Sequence, residues 1–273
     1  SIGNYRNSRK NSVIATIKDI LKIAVPVSFS QIIHSISRSI EALLVPKGLV
    51  LSGLSSYEGL ALYGKTSGMV MPLIFFPALF VRALSSNIIP QIAKALALKN
   101  KEYAFKLSQQ ALFLTSFFAF AVTAFFIALS EPVAEFLFPK FELGNLIIAF
   151  SAGIPFYYLE SIIMSILRAI GNNSTPITTS LTTLFITNQI LFLLTAKTPM
   201  GIYGYSVALI TASAVAIFIS IRHIEQNFQR QFNLLEIILK PMICRVFMAY
   251  IMSKAFLPLV NLDFPKIICI GAD

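Results

Sequence analysis

The 273 residues are 56% hydrophobic and 12% charged, where a soluble domain carries about 25% charged side chains. Net charge is +10, and in so apolar a chain that surplus belongs to the cytoplasmic ends of a helical bundle, where it sets topology and meets anionic lipid heads. Nucleic acid is therefore excluded as a partner. Cys244 and Cys269 show no CxxC or Cys/His spacing and read as small buried hydrophobes; no cofactor is expected.

The chain opens on Ser1, and Asn4 to Lys10 lack the apolar centre of a signal peptide. It stops at Asp273, directly after the apolar Ile267 to Ile270, so a piece of a longer protein is expected, without its amino-terminal portion and cut within a last helix. Three runs of 24, 28 and 24 residues carry no charge, between Lys106 and Glu131, Arg168 and Lys197, and Lys197 and Arg222. Each can cross a bilayer as a helix, since about 20 apolar residues span its roughly 30 Å core. Spans are expected at 21–45, 67–89, 107–130, 143–167, 177–196, 203–221 and 242–260, with a truncated eighth from 266. Val45-Pro46-Lys47-Gly48, Glu131-Pro132, Gly171 to Pro176 and Thr198 to Gly201 supply the turns between them. No β-type alternation points to a barrel, and the fold class is an all-α integral membrane bundle. In the second span Pro72 and Pro77 lie five residues apart. A kink is expected there, as a functional hinge or as a bend that neighbouring helices tolerate.

Assigned to alternate sides, fourteen Lys and Arg fall on one (Arg6, Arg9, Lys10, Lys18, Lys22, Lys94, Lys99, Lys101, Lys106, Arg168, Arg222, Arg230, Lys240, Arg245). Six fall on the other: Lys47, Lys65, Lys140, Lys197, Lys254 and Lys266. The amino terminus is expected in the cytoplasm. With no Trp, an interfacial aromatic belt must use Tyr, and Tyr57, Tyr63, Tyr103, Tyr203 and Tyr205 fall near expected helix ends.

Ionisable groups inside spans are costly and usually face a partner or water. Gln31, His34, Arg38 and Glu41 follow spacings of 3, 4 and 3, which puts them within about 80° on a helix, a single polar stripe. Arg38 can bind an anionic head group through a forked guanidinium, with Glu41 as counter-ion or cation-coupling carboxylate. The bland alternative is a structural Arg38–Glu41 pair. His34 reads as a hydrogen-bonded structural histidine before a proton carrier. Arg82, beside Ser85 and Ser86, either lines the same cavity or snorkels to the interface. Tyr157, Glu160, Ser161 and Arg168 share a face of the fourth span; Glu160 is a second ion-coupling candidate, against a hydrogen bond to the Thr-rich fifth span. Most of those threonines read as packing. Arg168 to Pro176 reads as a tight turn in which Gly171 ends one helix, and Asn172-Asn173-Ser174 as an accidental match to a glycosylation acceptor.

Three stretches together resemble a known family: YGKTSGMVMPLIFFPALFVRALSSNIIP (63–90) followed by QIAKAL, LRAIGNNSTP (167–176) and GIYGYSVALITA (201–212). Their order and spacing are similar to the carboxy-terminal half of polysaccharide flippases of the multidrug/oligosaccharidyl-lipid/polysaccharide exporter superfamily, and most to the stage V sporulation protein B group, relatives of lipid II flippases. The resemblance implies two six-helix lobes in a V around a central cavity, followed by two extra helices. On that map residues 1–18 are a basic cytoplasmic lead-in, 19–222 the second lobe, and 223–273 a loop, the thirteenth helix and the opening of the fourteenth; the first lobe is the missing partner. The implied activity is alternating-access translocation of a lipid-linked anionic sugar or peptidoglycan precursor across a bacterial cytoplasmic membrane, without covalent chemistry. The substrate-binding candidates are Arg38, Arg82, Gln31 and His34, and the ion-coupling candidates Glu41 and Glu160.

No GxxxxGK[ST] loop is present, so an ion gradient, membrane potential or product removal would supply the energy. A multidrug/cation antiporter would favour acidic and aromatic cavity groups. A polyprenyl-phosphate enzyme needs clustered acidic residues, and Glu131, Glu135 and Glu142 are dispersed. A scaffold would lose only stability when the stripe is neutralised.

Overall fold

The computed structural model describes residues 2–171, 174–233 and 235–243. The expected seventh and eighth spans, both cysteines, and Asn172 and Asn173 lie outside the described residues. Ten α-helices and two short π-helical turns account for the rest, and no strand occurs among the described residues.

Helix α1 (Ile2–Leu51) runs for 50 residues, about 75 Å at 1.5 Å per residue. The expected turn at Val45 to Gly48 is therefore helical. Pro46 costs one backbone bond that membrane helices tolerate, and the chain turns only after Leu51. There Gly53 adopts φ +110 and the amides of Ser52, Gly53 and Leu54 return to the carbonyls of Gly48, Val50 and Leu49. Helix α2 (Ser56–Lys65) starts in a capping box: Ser55 and Glu58 exchange side-chain and backbone hydrogen bonds, which hold the Glu58 carboxyl below its usual range.

The two-proline span bends as expected. A π turn over Thr66–Val70 leads into α3 (Met71–Phe75), the helix breaks at Phe76 and Pro77, and α4 (Ala78–Ala97) leaves at 48°. A second break was not expected. The fourth span is α7 (Gly144–Ser151) and α8 (Ile154–Ile170), inclined at 43° across Ala152 and Gly153. Between the bent spans lie α5 (Lys101–Ala128) and the short α6 (Ser130–Leu137). Helices α9 (Ser174–Lys197) and α10 (Ile202–Phe228) follow, joined through Gly201 at φ +52. Among the described residues three helices are long and apolar enough to cross a membrane, in α5, α9 and α10, and up to five if each bent pair is one span.

Helix α8 is the hub. Ile154, Tyr158, Ile162, Ile163 and Ile166 are at most 1% exposed, and the helix packs on α4, α5 and α10. On the other flank α9 pairs with both α10 and α1. These contacts use small residues, as membrane helices do when no hydrophobic effect draws them together. Gly204, Ala208, Ala212, Ala216 and Ser220 are buried at intervals of four along α10, and on α1 Gly48 lies against Thr195 of α9. A Cβ at Gly204 would sit 2.7 Å from Leu194 Cβ and 2.9 Å from its carbonyl carbon. Gly204→Ala is thus expected to force the α9–α10 backbones apart and cost about 1–3 kcal/mol, read as a lowered midpoint of thermal unfolding in detergent.

Arg230, after α10, lies 3.6 Å from Glu102 at the start of α5. At the opposite end Lys65 lies over the Phe141 ring, 5.5 Å from its centroid.

Candidate functional site

The polar stripe of α1 stands at the border between a packed and an open face. Its two edges behave differently. His34 and Glu41 lie on the packed edge. The Glu41 carboxylate, 7% exposed, accepts from the Ser37 hydroxyl at 2.8 Å and from the Tyr205 hydroxyl of α10 at 3.0 Å. His34, half-buried, meets the Ser180 hydroxyl of α9 at 3.0 Å. Ser180 already donates to the Pro176 carbonyl at 2.7 Å, so His34 Nε2 must be the donor in the histidine contact.

Gln31 and Arg38 lie on the open edge, both exposed. Arg38 has no ion-pair partner within 4 Å among the described residues. The structural Arg38–Glu41 pair is therefore not formed within 4 Å: Arg38 is exposed on the open edge, while Glu41 is buried and bonded to Ser37 and Tyr205. On the same open side of α1 a groove of about 420 Å³ is lined by Gln31, Ser35 and Ser39 with Ile32, Ile36, Ile40 and Leu43; Arg38 does not line it. Its walls are mostly aliphatic, and the Ser39 hydroxyl bonds back to the Ser35 carbonyl.

Arg82 is exposed on α4, followed by buried Ser85 and exposed Ser86. Both serines bond back to carbonyls of their own helix, so neither holds the guanidinium. Helix α4 packs on α8 and α5 while α1 packs on α9 and α2. The two arginines thus occupy open faces of separate helices and are not brought together.

Glu160 is partly buried between α8 and α10, with the Ser213 hydroxyl beside its carboxylate. Its neighbour is thus on α10, not on the Thr-rich α9. Tyr157 is within electrostatic reach of both Glu160 and Tyr205, but its hydroxyl has no hydrogen-bond partner among the described residues, so no hydrogen-bonded path joins Glu41 to Glu160. The shared face of the fourth span is split: Tyr157 is buried while Ser161 and Arg168 are exposed, the latter bonding Ser165 at 3.0 Å.

A family model for the lipid II flippase MurJ matches residues 9–262. The chain belongs to that family. It is also similar in structure to a multidrug resistance MATE family transporter of the MOP superfamily in an outward-facing conformation, with a TM-score of 0.64 at 17% identity. That match covers 85% of this chain and 52% of the transporter, so the chain spans about half the length of the structure it resembles. Curated proteins give no match. The family model is that of a flippase, which lends the polyprenyl-phosphate enzyme reading no support.

Several residues of the site escape sequence reasoning. Tyr205 is 5% exposed and holds Glu41, where an interfacial belt residue was expected; Tyr63 packs 6.4 Å from it, ring to ring. Tyr57, Tyr103 and Tyr203 are exposed as a belt requires. Ser35, Ser37 and Ser39 carry a signal in the alternating SISRS, where hydroxyls fall on both sides of Arg38. Ser180 carries none.

Proposed function

We propose that this chain forms the second lobe of a flippase that moves lipid II, or a lipid-linked precursor of the same anionic kind, across the cytoplasmic membrane by alternating access. The observation that carries the reading is the open edge of α1. Among the described residues Arg38 makes no ion pair within 4 Å there, while the acid of its own stripe, though within electrostatic reach, is hydrogen-bonded inside the lobe. A guanidinium in that setting offers two parallel N–H donors to a pyrophosphate. Gln31, Ser35 and Ser39 offer neutral partners to sugar or peptide groups, and Arg82 adds a second cation as the head passes. His34 acts by fixing α1 on α9. The lipid tail stays in the bilayer, and a first lobe supplies the facing half of the cavity.

A drug antiporter would turn acids toward the cavity. Here Glu41 faces inward, and the exposed ionisable groups of the site are Arg38 and Arg82. Glu41, held by Tyr205 of α10, and Glu160, beside Ser213 of the same helix, are the ion-coupling candidates. The likeness of the three motif stretches to the sporulation group supports spore peptidoglycan as the setting.

The amino-terminal end of α1 lies in the cytoplasm on this reading. Cysteines placed at Lys99 and Gln226, both exposed, are expected to react with a membrane-impermeant maleimide only from the cytoplasm, and cysteines at Glu142 and Pro199 only from outside. Opposite labelling reverses the topology. The function itself is tested by growth: the full-length protein should sustain cells depleted of their own lipid II flippase, and an Arg38→Ala version should not. Growth supported equally by both would reject Arg38 as the head-group ligand.

A further inference from the structure

The two bent spans break beside each other. The ring of Phe75, the last residue of α3, lies 5.5 Å from that of Tyr157 in the first turn of α8. In a continuous helix the Ile74 carbonyl would accept from the Ala78 amide. That rung is not closed here; the backbone instead makes the shorter-range bonds Leu79 to Phe76 and Phe80 to Pro77. Into the gap comes a side chain from another helix. The Tyr158 hydroxyl of α8 donates to the Ile74 carbonyl at 2.8 Å. A group inserted between the two halves of a helical rung keeps that helix bent. Neither partner can leave without cost, because a lone hydroxyl or carbonyl in a membrane interior has no water to turn to. Tyr158 has no freedom to swing away: it is 1% exposed and its ring stacks on Phe118.

The second break is tied to the adjacent side chain on α8. Gly153 caps α8 at the bend between α7 and α8, and a Cβ there would collide with the Tyr157 ring. Tyr157 therefore rests directly on the second break, and the next residue fills the first.

We propose that Tyr158 is a positioning residue that makes the two broken spans bend as one: its hydroxyl, anchored on α8, occupies the open rung of α3–α4, so a change of angle at either break is transmitted to the other. Helix α4 carries Arg82, and its direction relative to α3 sets where that guanidinium stands. The role in transport rests on the proposed flippase function; the mechanical coupling does not.

The test uses the full-length protein in lipid nanodiscs without substrate. Spin labels at Tyr57 and Leu98, both exposed, report the first bend by electron–electron double resonance, and labels at Asn145 and Ser161, also exposed, report the second. Pro77→Ala restores the missing amide and removes the ring clash with the preceding turn, which straightens the first bend. The expected result is that Pro77→Ala shifts both distance distributions, whereas Pro77→Ala combined with Tyr158→Phe shifts only the first. A second distance that ignores Pro77→Ala, or that still follows it without the hydroxyl, overturns the coupling. Should the Tyr158→Phe protein fail to insert, the Pro77→Ala result decides alone. With purified lipid II as the probe, Tyr158→Phe should lower the maximal rate about fivefold, the loss of one net hydrogen bond, at an unchanged half-saturating concentration. An unaltered maximal rate overturns the positioning role. Absence of lipid II transport by the parent protein is a failure of the proposed function, and the distances then decide the coupling by themselves.

Discussion

Arg38→Ala is expected to lower translocation of a lipid-linked pyrophosphate by at least tenfold in the full-length protein while leaving its thermal stability almost unchanged. Both halves of that expectation come from the same observation. Arg38 is exposed and unpaired among the described residues, so removing it strands no buried partner, and exposed substitutions of this kind stay within about 0.5 kcal/mol. A charge-assisted hydrogen bond to phosphate is worth about 1.5–3 kcal/mol, which is roughly 10- to 150-fold for each bond lost. Arg38→Lys should recover part of the rate, since the charge remains and the planar fork does not. Initial rates and unfolding midpoints of the three proteins check this. Full transport by a well-inserted Arg38→Ala protein would remove the guanidinium from the substrate path.

Glu41 should behave in the opposite way. Its carboxylate takes the hydroxyls of Ser37 and Tyr205 in a buried site. Glu41→Ala leaves both hydroxyls without an acceptor and opens a cavity, and each stranded polar group costs about 1–3 kcal/mol. A loss of about 2–5 kcal/mol is expected, enough to deplete the folded protein in the membrane. Glu41→Gln keeps the volume and one carbonyl acceptor. It should fold and insert, yet on the proposed coupling role transport by it should no longer respond to an imposed cation gradient, because the carboxylate proposed to bind the cation has lost its charge. Gradient-driven transport undiminished in Glu41→Gln would reduce Glu41 to a strut between α1 and α10. Read together, the Arg38 and Glu41 variants separate a ligand from a coupling group: one loses rate without stability, the other stability or coupling.

What could be read from the sequence was whatever depends on neighbours along the chain. The charge-free runs locate α5, α9 and α10, two prolines five apart locate the first break, and Gly171 ends α8 in the left-handed conformation. The break at Ala152 and Gly153 was missed because one glycine in an apolar run is commonplace; its role depends on the Tyr157 ring, which sequence does not position. Pro46-Lys47-Gly48 resembled a turn, but a membrane helix continues through such a triplet when Gly48 is needed for close approach to Thr195. Periodicity put Gln31, His34, Arg38 and Glu41 on one stripe, and so they are. Which edge would be packed was decided by Ser180 and Tyr205, 146 and 164 residues away from their partners.

The reading that an unpaired guanidinium on the open face of α1 carries a lipid-linked pyrophosphate is tested most directly in proteoliposomes. The full-length protein is reconstituted with fluorescent lipid II, and an impermeant quencher reports the fraction reaching the outer leaflet, for the parent and for Arg38→Ala. Rapid loss of fluorescence beyond the initial outer-leaflet share with the parent, and at least tenfold slower loss with Arg38→Ala at equal reconstitution, is the predicted result. Equal rates for the two proteins, or a parent no faster than protein-free liposomes, would contradict it.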